Sequence, residues 1–184
     1  METEGLFRIS ATKTRLQAIQ AAIDNGQVVG FATCEQHEVA GTLKQWLQAL
    51  PEPLIPFRSF TAFVKNGLFF LIQIHTRNDT HNHKLRGHSH TQTADAAPEV
   101  LKKLVEGLPP LNRRCLHKLM DLLHIVAQHS DKNKMSEGNL AVVFAPTLLK
   151  EKSGVSSLET HDILARVLSN MLRNYDTVFG PFSV

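Results

Sequence analysis

The stretch NKMSEGNLAVVFAPTLLK, residues 133–150, holds a helix start, a helix stop and a polar side chain between them. Ser136 can accept a backbone N–H as an N-cap, and the apolar run that follows through Phe144 predicts a short helix stopped by Pro146. Asn139 offers both an amide donor and a carbonyl acceptor, so it can satisfy local backbone or hold two loops at once.

Helical periodicity recurs on both sides of this segment. Downstream, Ile163, Leu164, Val167, Leu168, Met171 and Leu172 predict an amphipathic helix from about Leu158 or Thr160 to Tyr175, with Val178 and Phe179 after it. Upstream, Leu116, Leu119, Leu123 and Val126 align in a helix over about Leu111 to Gln128, preceded by another over Glu99 to Glu106. In QHEVAGTLKQWLQALPEPL, residues 36–54, the positions Val39, Leu43, Trp46, Leu47 and Leu50 form one apolar stripe, which Pro51 and Pro53 end. Arg58 to Val64 predicts a short helix that buries Phe60 and Phe63. Near the start, Leu16, Ile19 and Ile23 fall at helical spacing, with Ser10 or Thr12 as cap and Asn25-Gly26 as stop. No strand alternation competes, so the predicted fold is all-α.

The chain has 184 residues, which fits one domain over 1–184 and allows one sizeable core. Residues 73–97 are polar and aperiodic and end at Pro98; they read as a long, disordered surface insertion. A formal charge of +3 is weak support for a polyanion, and no nucleic-acid partner is predicted from it. Cys34 and Cys115 form no CxxC, which suits free thiols in a reducing compartment and a cytoplasmic location. The apolar run Gly67 to Ile72 is far shorter than the roughly 20 residues a membrane span needs. His75, His81, His83, His88 and His90 include two HxH pairs, yet their spacing matches no structural zinc motif and no Cys lies near, so no metal site is predicted. Phosphate-binding GxxxxGK[ST], GxSxG and HExxH are all absent.

Four stretches stand in order: EGLFRIS at 4–10, LKQWLQALPEPLIP at 43–56, LPPLN at 108–112 and NKMSEGNLAVVFAPTLL at 133–149. Together they resemble the RhoGAP domain, the GTPase-activating domain for Rho-family GTPases. The resemblance implies a helical bundle that binds a GTP-loaded Rho-family small GTPase and inserts an arginine into its nucleotide site. GTP and magnesium then belong to the partner, and the chain needs no cofactor of its own. It also implies about two further helices before EGLFR, so the chain reads as N-terminally truncated, with apolar surface exposed.

By this resemblance Arg8 is the arginine finger. Taken alone it would be a solvated charge beside a helix start, but Leu6 and Phe7 before it can anchor its loop in the core. Lys44 is assigned to contacts with the GTPase or with the finger loop; a lysine on a helix flank otherwise serves solubility. Gln48, one turn on, stands where many members carry a basic residue. Asn139 is assigned to the finger and switch loops, Asn133 to a supporting part, and Pro146 to shaping a turn. Thr147 stands where asparagine is also common. Two alternatives remain: a module that docks on a GTPase with weak or no activation, and a fragment of a larger RhoGAP protein.

Overall fold

The computed structural model describes residues 2–66, 98–152 and 157–180. The predicted insertion at 73–97 and its histidines lie outside the described residues, as does the apolar run after Asn66.

Every regular element among the described residues is helical. The helices are α1 (Lys13–Asp24), α2 (Gln36–Ala49), α3 (described over 57–66), α4 (Pro98–Glu106), α5 (Pro110–Gln128), α6 (Ser130–Asn133), α7 (Glu137–Leu148), α8 (Leu158–Arg173) and α9 (Tyr175–Val178). Their ends follow local chemistry. Ser136 Oγ accepts from Asn139 N at 3.4 Å and Ser157 Oγ from Thr160 N at 3.1 Å, each satisfying a first-turn donor. Glu35 and Glu38 close a capping box at the start of α2. Thr12 caps α1 by position alone, without a side-chain bond.

The centre is α7 packed on α8, with α5 alongside. Leu140, Phe144 and Leu148 meet Leu164, Leu168 and Met171, and Leu116, Met120, Leu123 and Val126 of α5 close the core. Each such side chain contributes about 1.5–3 kcal/mol by leaving water. Leu54 and Ile55 are buried at the end of α7: Ile55 N donates to Leu148 O at 3.3 Å, and Asn112 Nδ2 donates to Leu54 O at 3.1 Å. The PEPLIP segment thereby ties α2 to α5 and α7. On the far side, α1 lies across α2, where Leu16 sits so close to Gly41 that an added Cβ would stand 2.9 Å from Leu16 Cδ2.

Two expectations need correction. Pro146 does not stop α7, which runs on to Leu148. Proline removes the N–H that would bond the Val142 carbonyl, but Val142 and Pro146 are both exposed, so water can take that carbonyl while Leu149 N still reaches Ala145 O at 2.9 Å. Pro146 therefore sits in the last helical turn and shapes no loop. Trp46, placed in the apolar stripe of α2, is 46% exposed, because Ala40 and Leu47 face the core instead. The four-residue helix α6 is too short to leave a periodic signal.

Candidate functional site

The segment before α1 forms a tight hook. Gly5 and Phe7 both adopt left-handed backbone, at φ 66° and 71°, and Arg8 N and Ile9 N both donate to Gly5 O, at 2.8 and 2.9 Å. For glycine that conformation is free, but for phenylalanine it is strained and must be held by its surroundings. Two contacts hold it. The Phe7 ring is buried edge-on against Phe144, with centroids 5.0 Å apart at 72°, and the Lys44 ammonium donates to the Phe7 carbonyl at 2.8 Å.

Lys44 projects from the flank of α2 with its stem half-buried, and burial pushes its pKa below the ordinary lysine value. Asn133 holds the other side of the hook. Its backbone carbonyl accepts from Gly5 N at 2.8 Å, while its fully buried side chain bridges the Val126 carbonyl and the Met135 N–H, each at 2.8 Å. Glu2 pairs with Lys132, and Thr3 with Gln36, ahead of the hook.

Arg8 follows directly and is exposed; among the described residues its guanidinium has no hydrogen bond or ion pair. The backbone is thus fixed from three sides while the charged end stays open. Beside the hook, Leu6, Phe7, Phe31, Cys34, Val39 and Leu43 line an apolar groove of ≈ 430 Å³.

Asn139 stands at the start of α7, exposed, with Nδ2 donating to Lys134 O at 2.9 Å. That bond uses one amide hydrogen on local backbone and leaves the amide oxygen for another group. Lys134 is itself left-handed, at φ 59°, so Asn133, Lys134 and Asn139 form one linked turn. Asn139, Val142 and Pro146 lie at helical spacing along α7 and are all exposed, Val142 by 65%.

Hence Arg8, Lys44 and Asn133 converge on one loop, and Asn139 joins through Lys134. Gln48 does not touch the hook; its side chain is exposed, and its backbone carbonyl accepts from Lys150 Nζ at 3.0 Å. Sequence reasoning missed Phe144 as the partner of Phe7, and Val142 and Lys150 as surface neighbours. Only Val142 left a signal, three residues after Asn139 and four before Pro146. No group of three or more metal-ligating side chains clusters among the described residues, and no described helix is long and apolar enough to cross a membrane.

The RhoGAP domain model matches residues 1–153. The chain belongs to the RhoGAP family. It is 31% identical over 189 residues to Rho GTPase-activating protein 45 of Mus musculus, covering 97% of this chain and 17% of that protein. It is 35% identical over 173 residues to Rho GTPase-activating protein 19 of Homo sapiens, covering 93% and 33%. The chain therefore spans a third or less of these relatives. Among solved structures, human Rho GTPase activating protein 15 matches with a TM-score of 0.76 and 27% identity, over 97% of this chain and 76% of that one. The BH domain from GRAF, the GTPase regulator associated with focal adhesion kinase, matches at 0.74 and 25%, over 98% and 86%. In this RhoGAP domain the candidate residues lie on the hook, on α2, on the turn from α6 into α7, on α7 and just beyond its end.

Proposed function

We propose that this RhoGAP domain accelerates GTP hydrolysis by a Rho-family small GTPase in its GTP-bound form, in the cytoplasm, with Arg8 as the arginine finger. The chemistry follows from charge. As the γ-phosphoryl group passes to water, negative charge spreads over its oxygens, and a guanidinium placed there stabilises the transition state more than the ground state. The chain itself is an activator: GTP, magnesium and the attacking water belong to the GTPase, and no cofactor of its own is required.

The observation that carries this reading is the hook. An arginine with an open guanidinium follows a residue whose ring is buried on Phe144 and whose carbonyl is held by Lys44. Prior ordering of the backbone reduces what must be ordered at each encounter. Lys44 and Asn133 act as positioning residues, while Asn139, Gln48 and Pro146 lie on the surface that meets the GTPase.

Affinity for a transition-state mimic tests the reading. The domain should bind the GTPase loaded with GDP and a fluoride complex more tightly than the same GTPase loaded with a non-hydrolysable GTP analogue, and Arg8→Ala should abolish the difference. The neutral side chain at Gln48 favours a second reading, docking without acceleration. Equal affinity of the parent protein for both loaded forms would select it.

A further inference from the structure

Lys150 is not among the residues that the RhoGAP motifs single out. It follows Leu149, whose extended backbone, at φ −125° and ψ 92°, turns the chain out of α7. From there its ammonium reaches across to α2 and donates to the Gln48 carbonyl at 3.0 Å. Gln48 is in the last turn of α2, where carbonyls lack intrahelical partners and the helix dipole is negative, so the contact fixes the ammonium at this corner. A lysine ammonium has three N–H donors, and this bond uses one.

The corner has three properties that fit a binding edge. The exposed row Asn139, Val142 and Pro146 leads along α7 toward it, with Val142 as an apolar centre. Gln48, exposed at the same corner, brings no charge. Lys150 is held by the Gln48 carbonyl of α2, so it presents a cation at lower entropic cost than a free side chain. We infer that Lys150 is a GTPase-binding contact, the cation at the rim of the α2–α7 surface that engages a carboxylate on the GTPase. This inference rests on the GTPase-binding reading above. Lys150 adds attraction and orientation there, and the reacting phosphate is left to Arg8.

Titration of the full chain against a Rho-type and a Rac-type GTPase in single-turnover hydrolysis tests it, alongside binding to each GTPase loaded with a non-hydrolysable GTP analogue. Lys150→Ala should raise the half-saturating concentration roughly two- to five-fold on the preferred GTPase, the range of an exposed ion pair. The effect should fall on that concentration rather than on the plateau rate, and shrink as salt is raised. Gln48→Arg in the Lys150→Ala background should restore affinity by returning a cation to the corner. A purely capping lysine would instead lower the thermal midpoint with the titration unchanged. That outcome, or failure of Gln48→Arg to rescue, overturns the inference. The plateau reports on Arg8 and the half-saturating concentration on Lys150, so the two readings fail separately. If binding occurs without acceleration, the binding arm alone decides.

Discussion

The Lys44 ammonium donates to the Phe7 carbonyl at 2.8 Å, and Arg8 is the next residue along the chain. One side chain of α2 thus fixes the peptide unit from which the proposed finger departs. Lys44→Met keeps most of the stem packing and removes the charged bond. Such a bond is worth about 1.5–3 kcal/mol, so the thermal midpoint should fall by several degrees, and the single-turnover rate should fall by up to roughly 10- to 100-fold if that energy is what positions Arg8. An unaltered rate would show that the hook holds without Lys44.

Gly5 tests the hook from its other end. Its φ of 66° is strained for any side chain, and a Cβ there would lie 2.7 Å from Ile9 Cδ1. Gly5→Ala should cost about 1–2 kcal/mol through the backbone alone and slow hydrolysis by displacing Arg8. Ile9→Ala in the same chain should recover part of the loss, because it removes the clash but not the strain. Thermal unfolding and single-turnover rates of the two variants check both halves.

Asn133 is fully buried and bonded at both ends of its amide. Asn133→Ala should destabilise the domain by about 1–3 kcal/mol, since the Val126 carbonyl and the Met135 N–H lose their partner. Urea unfolding should show a lower midpoint with an unchanged slope. A midpoint equal to the parent's would remove Asn133 from the account of how the hook is anchored.

Tyr175 supplies a pH dependence from the C-terminal helix α9. Burial, then the neighbouring Asp121 carboxylate to which its hydroxyl donates at 3.2 Å, pushes its pKa up from 10.0 to about 12. The unfolded chain ionises this phenol first, so the stabilisation is complete below about pH 10 and disappears as pH rises towards 12. It is the chain's only tyrosine, so tyrosinate absorbance reads it directly. The transition should centre near 12, and Tyr175→Phe should flatten the alkaline fall in thermal midpoint over that window.

Much of this was legible in the sequence because helices announce themselves by period. The spacing of Leu116, Leu119, Leu123 and Val126 puts them on one face, and all four are buried. The end of α7 was misread because a proline stops a helix only where its missing bond cannot be replaced by water, and exposure is a tertiary property. Trp46 was misread for a related reason: its place in the stripe does not say which edge of the stripe the neighbouring helices cover. At the site, motif order picked out Arg8, Lys44 and Asn133, but the Phe7–Phe144 contact and the reach of Lys150 to Gln48 join residues more than a hundred positions apart. No local pattern encodes either.

Single-turnover phosphate release from a GTP-loaded Rho-family GTPase, with the parent protein and with Arg8→Ala, tests the central claim most directly. An arginine finger in the Ras system is worth roughly 10³ to 10⁵ in rate. The account predicts clear acceleration by the parent and a loss approaching that size in Arg8→Ala, with binding to the GTP-analogue form retained. Acceleration by Arg8→Ala equal to that of the parent would contradict it.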